Sequence, residues 1–199
     1  MRKEAPTRHQ RRKLRTRRLL LNTTETMLID RGYDALTVQD IADRADVARG
    51  TFYVHFKDKE EAIWAIVQGR FEDLAIPSAP ELPSVDPSLR HYEIWRGIFS
   101  YAADNRVLLR VLLGEQGHMG LARRIQSHLA DVLERSLTNA DVGPIPDVPD
   151  DFKTQYLVGA LVQTMTWWLR HPGRYTIDDM TRQFYVLTLR RQPPLSVAR

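Results

Sequence analysis

One stretch of 23 residues, from Thr37 to Lys59, constrains the fold of this chain more than any other, and it reads TVQDIADRADVARGTFYVHFKDK. Apolar residues recur at three- and four-residue steps from Val38 to Ala45, which is the spacing of one face of a short amphipathic helix. Thr37 and Asp40 have the spacing of a capping box, so this helix is predicted to begin after Thr37. It is predicted to end near Asp46, because Asp tolerates the left-handed backbone that a tight turn needs.

The second half of this stretch, from Ala48 to Phe56, predicts another short helix with two different faces. Phe52 and Phe56 lie four residues apart, so both are predicted to anchor one face in the core. The opposite face offers hydrogen-bond donors and no carboxylate; its residues, with those just beyond, are Arg49, Thr51, Tyr53, His55, Lys57 and Lys59. Two short helices joined by a tight turn, with donors on the second, are typical of a helix-turn-helix whose second helix enters the major groove of DNA.

These residues resemble the DNA-binding signature of the TetR family of transcriptional repressors, roughly Thr-x-x-x-Ile-Ala-x-x-Ala-Gly-Val-Ser-x-Gly-Thr-hydrophobic-Tyr-x-His-Phe-x-x-Lys. The matching residues are Thr37, Ile41, Ala42, Ala45, Val47, Gly50, Thr51, Phe52, Tyr53, His55, Phe56 and Lys59. The chain departs from the pattern at two positions, where Asp46 replaces Gly and Ala48 replaces Ser. The turn and the cap of the second helix are therefore expected to be less favourable than in a typical member.

The predicted DNA contacts fall into two groups. Arg49 is the predicted base-reading residue, because its planar guanidinium matches guanine O6 and N7, and Thr51 is predicted to touch a base methyl or a phosphate. The resemblance implies phosphate contacts, which fix the position on DNA without reading sequence, at Thr37, Tyr53, His55 and Lys59. Gly50 and Lys57 belong to the same predicted surface.

The surroundings of two of these residues also matter for their predicted roles. His55 has an alternative interpretation as a half-buried histidine that packs beside Phe56. Lys59 lies near the start of the next helix, where the helix dipole disfavours a cation, and a phosphate partner would explain its position.

Positive charge is concentrated at the N-terminal end of the chain. Residues 1–70 hold fifteen Lys and Arg against ten Asp and Glu, whereas residues 71–199 hold fourteen against fifteen. The segment from Arg2 to Arg18 has nine basic residues and a single acid, Glu4. Such density is typical of an unstructured arm, so residues 1–14 are predicted to be a basic flexible arm. It either aids solubility as a solvated tail or, as we favour, follows phosphates or enters an A·T-rich minor groove.

The rest of the chain is predicted to be helical, and no alternation typical of β-strands is present. The resemblance implies an all-α protein with an N-terminal three-helix helix-turn-helix domain and a C-terminal helical ligand-binding and dimerisation domain. The predicted boundaries are 15–57 for the DNA-binding domain, 58–74 for a connecting helix, 75–88 for a Pro-rich linker, 89–191 for the C-terminal domain and 192–199 for a tail. Predicted helices in the C-terminal domain span 89–103, 105–114, 118–137, 152–170 and 176–190.

The predicted helix at 152–170 is apolar on almost every side, so it is expected to be buried on every side. In a chain this small, a partner subunit is the expected source of the second surface. Together with the last helix it predicts a homodimer interface at Tyr156, Ala160, Trp168, Phe184 and Leu187. A two-fold dimer requires a palindromic operator on double-stranded DNA.

The resemblance also implies a small-molecule effector that binds the C-terminal domain and releases the repressor from DNA. Candidate pocket residues, chosen because pockets are mostly apolar with a few polar groups, are Trp95, Phe99, His118, Met119, Gln163 and Trp167. Such residues at helical spacing also serve as ordinary core. A repressor that is constitutive, or that is regulated by a protein, therefore remains an alternative.

A metal-dependent helical-bundle enzyme is a more remote alternative, based on Glu115 and His118. Glu-x-x-His is half of the ligand set of such enzymes, but no second copy is present and the chain has no hydrolase or phosphate-loop motif. The sequence therefore predicts no enzyme activity, no cofactor and no metal.

Two further features concern the compartment. The chain has no cysteine, which agrees with a reducing environment, and its longest uncharged stretch, residues 154–169, is too short and too polar to cross a membrane. The expected location is the cytoplasm.

Overall fold

A computed structural model of the chain describes residues 7–72, 87–114, 118–136 and 148–189, and every regular element within these ranges is an α-helix. The helices are α1 (Arg8–Arg31), α2 (Val38–Arg44), α3 (Arg49–Tyr53), α4 (Lys59–Glu72), α5 (Pro87–Asp104), α6 (Arg106–Leu113), α7 (Met119–Ser136), α8 (Asp150–Arg170) and α9 (Ile177–Leu189). The predicted all-α fold is confirmed. The predicted 75–88 linker, except its last two residues, and the 192–199 tail lie outside the described residues.

Helices α1, α2 and α3 form the predicted helix-turn-helix unit. Phe52 and Phe56 are buried as predicted, and they lie in one core cluster with residues of α1 and α2. Thr37 caps α2, since its hydroxyl oxygen accepts a hydrogen bond from the Asp40 backbone N–H at 3.1 Å. Asp46 has a φ of 52°, so the predicted left-handed turn is also confirmed. Helix α3 is shorter than the predicted helix from Ala48 to Phe56, since only residues 49–53 are helical.

The N-terminal arm differs from the prediction. Helix α1 begins at Arg8, so the expectation of a flexible segment as far as residue 14 is wrong, while residues 1–6 lie outside the described residues. A capping box explains the early start: the Thr7 side chain accepts from the Gln10 backbone N–H, and the Gln10 side chain accepts from the Thr7 backbone N–H. This reciprocal pair satisfies two backbone donors that a helix otherwise leaves unpaired at its first turn.

Lys59 has partners within the protein. Its ammonium group donates hydrogen bonds to the backbone carbonyls of Tyr33 and Leu36, both at 2.9 Å, and lies 4.1 Å from the centre of the Tyr33 ring. It therefore fastens the first turn of α4 to the turn between α1 and α2. These partners explain the position of the ammonium group in the free protein, and the predicted phosphate contact stays a prediction.

The C-terminal helices pack around a cluster of aromatic residues. Helix α5 packs along α9, and α7 packs along α8. Trp95 and Phe99 of α5 each contact Phe184 of α9, at ring-centre distances of 4.8 and 5.7 Å, and Phe99 also contacts Trp168 of α8 at 5.9 Å. The predicted capping box at the start of α9 is confirmed, because Thr176 and Asp179 exchange both hydrogen bonds.

His118, just before α7, contacts the N-terminal half of the molecule. Its ring stacks on Tyr33 with the centres 4.5 Å apart, and its Nε2 lies 3.8 Å from the Glu60 carboxylate. The Tyr33 hydroxyl donates to the same carboxylate at 2.8 Å. Burial, together with this carboxylate, raises the pKa of Tyr33, so its hydroxyl remains a donor. Residues 115–117, which precede His118, lie outside the described residues.

Helix α8 is not buried on every side within one chain. Leu157, Leu161 and Trp168 face the core, whereas Phe152 and Tyr156 are 66% and 64% exposed. Among the described residues, no helix combines the length and apolarity that crossing a membrane requires.

Candidate nucleic-acid interface

The outer face of α3 presents an arginine that is already held by its neighbour. The Arg49 guanidinium donates a hydrogen bond to the Tyr53 hydroxyl at 3.1 Å and lies 5.6 Å from the centre of the Tyr53 ring. Arg49 is exposed, and Tyr53 is 46% exposed. A guanidinium that is restrained in this way loses less conformational entropy when it binds a planar partner such as a guanine edge.

Gly50, the next residue of α3, leaves an open surface on the helix. A Cβ built at this position would have no heavy atom of the protein within 4 Å, and Gly50 is exposed. The backbone of α3 therefore does not need glycine for packing. Because glycine costs stability inside a helix, its presence favours a close approach by something outside the chain.

His55 lies two residues after the end of α3, beside the N-terminal half of α1. Its backbone carbonyl accepts a hydrogen bond from the Arg17 guanidinium at 3.1 Å, and the same guanidinium lies 4.4 Å from the centre of the Phe56 ring. Burial, followed by the positive charges of Lys13 and Arg17, lowers the pKa of His55. The half-buried ring is tilted against Phe56 with the ring centres 6.3 Å apart, as the packing interpretation predicted.

The other predicted contacts have mixed surroundings. The Thr37 hydroxyl donates a hydrogen bond to the Asp40 carboxylate, while Thr51 is half-buried. The Lys57 side chain is exposed, and its backbone N–H donates to the Glu61 carboxylate.

The six predicted pocket residues lie in different surroundings. Trp95 and Phe99 are fully buried in the core, whereas Met119 is 69% exposed and Gln163 is also exposed. Trp167 packs against His171 and Tyr175 at the far end of α8. His118 belongs to the junction with Tyr33 described above.

The structure instead shows a cavity between α6 and α8 that the sequence reasoning missed. Its volume is about 420 Å³, and its lining consists of Val107, Leu109, Arg110, Val111, Gly114, Thr166, Leu169 and Arg170. None of the six predicted residues lines it. The sequence signal is the strong separation of apolar and basic residues in α6, RVLLRVLL, but the partner helix cannot be identified without the fold.

The five predicted interface residues also separate into groups. Tyr156 is 64% exposed and Leu187 is 76% exposed, while Ala160 is half-buried. Trp168 and Phe184 are each 4% exposed and pack on Phe99 within the same chain. This core explains their apolar character without a partner subunit.

The residues of the enzyme alternative are not gathered around a metal site. Glu115 lies outside the described residues, and His118 is stacked on Tyr33. Within the part of the chain that the structure describes, His, Asp and Glu side chains form no group of three or more able to hold a metal ion.

Comparison with known proteins adds family information to this geometry. A family model described as bacterial regulatory proteins, tetR family, matches residues 20–63, which include α2 and α3. A second model, described as transcriptional regulator C-terminal region, matches residues 91–190. The HTH-type transcriptional repressor KstR2 of Mycobacterium tuberculosis is 26% identical over 188 residues, covering 85% of this chain and 89% of the relative.

Solved structures share the fold. A TetR transcriptional regulator from Streptococcus agalactiae has a TM-score of 0.70 at 23% identity, covering 90% of this chain and 96% of that one. The regulator FadR from Bacillus subtilis, solved in complex with stearoyl-CoA, has a TM-score of 0.60 at 18% identity, covering 86% of this chain and 97% of that one.

Proposed function

Because the chain belongs to the TetR family of DNA-binding transcriptional regulators, we propose that it is a repressor that binds a palindromic operator as a homodimer and is released by an amphipathic ligand. The name of the full-length relative KstR2, a transcriptional repressor, supports repression over activation. The observation that carries the proposal is the outer face of α3, with its donors and without a carboxylate.

The proposed contacts follow from the surroundings of each side chain. Arg49 reads a guanine, because its guanidinium is exposed and restrained by Tyr53. Gly50 allows the sugar-phosphate backbone to approach the helix closely. Tyr53 and Lys57 are exposed donors that bind phosphates and fix the position of α3 in the groove. Lys59 acts mainly inside the protein, through the Tyr33 and Leu36 carbonyls.

The proposed dimer uses the apolar side chains that one chain leaves exposed on its last two helices. Phe152 and Tyr156 lie four residues apart on α8, and Val186 and Leu187 lie on α9. Exposed apolar residues on neighbouring helices are typical of an association surface. A second copy that covers them would complete an intersubunit helical bundle and would place two α3 helices about one two-fold axis.

The proposed effector site is the cavity between α6 and α8. Its apolar residues Val107, Val111 and Leu169 suit a hydrocarbon chain, and the guanidinium groups of Arg110 and Arg170 suit an anionic group. The chemistry fits an acyl carboxylate or acyl thioester, and the stearoyl-CoA complex of the FadR neighbour supports the same class.

A route from this cavity to DNA begins at Gly114, which lines the cavity at the end of α6. The chain then reaches His118, whose ring stacks on Tyr33 in the DNA-binding half. A ligand that moves α6 would shift this stack and hence the position of α3. The ligand controls DNA binding only if it binds the two arrangements with unequal affinity.

DNA binding to a fragment of the chain's own upstream region, measured across a salt series, tests the DNA part of the proposal. Wild type should protect a palindrome, Arg49→Ala should lose sequence preference, and Tyr53→Phe should lose part of it because the guanidinium is no longer restrained. Tyr53→Ala removes the same hydroxyl, so it should lose the same part of the preference and also weaken binding to all DNA. If the protein binds no fragment of this region more tightly than random DNA, it is not an autoregulatory repressor.

Thermal unfolding with a series of acyl carboxylates and acyl thioesters tests the effector. A ligand at about 100 times its dissociation constant should stabilise the protein by about 2.7 kcal/mol. Arg110→Ala should reduce the shift, whereas Arg123→Ala, an exposed arginine of α7 outside the cavity, should not. The absence of any shift across the series would favour the constitutive or protein-regulated alternative.

A further inference from the structure

The first two turns of α1 project from the body of the molecule. Residues 7–15 are exposed at every position, including Leu14, which is 57% exposed. The first fully buried side chain of the helix is that of Leu20. At 1.5 Å per residue, the eight residues from Arg8 to Arg15 extend about 12 Å without a packed face. The hydrophobic effect therefore does not account for their helical order.

The projecting turns carry charge of a single sign. The exposed basic residues from this part of the helix are Arg8, Arg11, Arg12, Lys13, Arg15 and Arg18, and the first acid after Glu4 is Glu25. Arg8 and Arg12, like Arg11 and Arg15, are four residues apart, so their like charges disfavour the helix. An anionic partner would neutralise these charges, so that their arrangement would favour binding instead of disfavouring the helix.

The location of these turns identifies the partner. Arg17, two residues beyond the projecting part, contacts the segment just after α3 through the His55 carbonyl and the Phe56 ring. The charge of Lys13 is close enough to lower the pKa of His55. The basic turns therefore begin beside the proposed recognition helix, where the nearest anions in a DNA complex are phosphates.

We propose that residues 8–15 of α1 are a rigid phosphate-binding helix that contacts the duplex beside each half-site. This inference rests on the proposed DNA-binding function and extends it, because a helix fastened to α3 has a fixed position on the phosphates. A length of about 12 Å matches the axial rise of about three to four base pairs, since each strand carries one phosphate per 3.4 Å. The partner is double-stranded DNA, recognised by charge and not by sequence.

The salt dependence of DNA binding tests the inference. In the triple variant Arg8→Gln, Arg11→Gln and Arg15→Gln, the slope of log K against log salt should fall in magnitude by up to about 2.7 per protomer, since each lost phosphate contact contributes about 0.9. Affinity at about 0.15 M salt should fall about tenfold or more. The sequence preference of the bound DNA should not change, because the helix reads no bases.

A matched control carries the same change of charge elsewhere. Arg123, Arg174 and Arg182 are exposed in the C-terminal half, and their replacement by Gln should alter the slope much less. Equal changes in the two triple variants would overturn the inference and leave the proposed repressor intact. Wild-type protein that binds DNA without any salt dependence would instead overturn both.

A second variant separates a helix from a flexible arm. Leu14→Pro keeps every charge but removes the hydrogen bond to the Gln10 carbonyl, so the turns before residue 14 should lose their helical order while the rest of α1 remains. Since Leu14 is exposed, the core should not change, and thermal unfolding checks this. Weaker DNA binding together with a loss of helical circular dichroism supports the rigid helix. Unchanged DNA binding after the helix is lost would overturn it.

Discussion

Replacement of Gly50 by Ala should raise stability and lower DNA affinity at the same time. No heavy atom of the protein lies within 4 Å of the added Cβ, so nothing in the free protein opposes it. Alanine gains about 0.5–1 kcal/mol over glycine in a helix, and at about 2–4 °C per kcal/mol in a chain of this size the melting temperature should rise by about 1–4 °C.

The DNA complex should respond in the opposite direction. If the sugar-phosphate backbone contacts α3 at Gly50, the methyl group occupies its space, and we expect at least a tenfold loss of affinity, about 1.4 kcal/mol. The assay is a pair of measurements at one protein concentration: thermal unfolding by circular dichroism, and fluorescence anisotropy with a labelled operator fragment.

Gly69 supplies the control. It lies in the interior of α4, is exposed, and likewise has no heavy atom within 4 Å of an added Cβ. Gly69→Ala should therefore stabilise the protein to a similar extent and leave DNA binding unchanged. The reasoning is refuted if Gly50→Ala binds DNA as tightly as wild type, or if it destabilises the free protein.

Three further predictions concern the supports of the DNA-binding unit. Lys59→Met should lower the free energy of unfolding by about 2–4 kcal/mol, because two charge-assisted hydrogen bonds and the contact with the Tyr33 ring are lost. Urea unfolding measures this free energy, and a change below about 0.5 kcal/mol would contradict the prediction. Thr37→Ala should cost about 1 kcal/mol through loss of the Asp40 cap, while Thr37→Ser should cost less in the same assay. His55 has a lowered pKa in the folded state, so its contribution to stability is present above pH 6.5 and is lost as the pH falls through the folded pKa. The difference in the free energy of unfolding between wild type and His55→Gln should therefore shrink on acidification. A difference that does not change with pH would contradict this prediction.

The sequence predicted the DNA-binding unit well because its signals are local. The Thr37 cap, the left-handed turn at Asp46 and the two phenylalanine anchors each depend on residues a few positions apart. The Thr7 capping box is equally local and was present in the sequence. The prediction of a flexible arm depended on the density of positive charge alone and did not use this pair, although Thr7 and Gln10 together fix the helix start at Arg8.

The C-terminal site was not predictable in the same way. An aromatic residue such as Trp168 has the same sequence pattern whether it faces a core, a cavity or a partner subunit, and only its contact with Phe99 assigns it to the core. The cavity depends on the pairing of α6 with α8, whose facing residues are more than fifty positions apart. The internal partners of Lys59 were not predictable for a similar reason, because the two carbonyls lie 23 and 26 residues away.

Selection of binding sites from a random DNA library tests the central claim most directly, since the protein itself picks out its operator from all sequences. We predict an enriched sequence with two-fold symmetry, whose half-site centres are about 34–36 Å or a multiple of this apart. The same selection with Arg49→Ala should lose a guanine preference at one position of each half-site. An enriched sequence without two-fold symmetry would contradict the dimeric arrangement, and a selection that enriches nothing would contradict sequence-specific binding through α3.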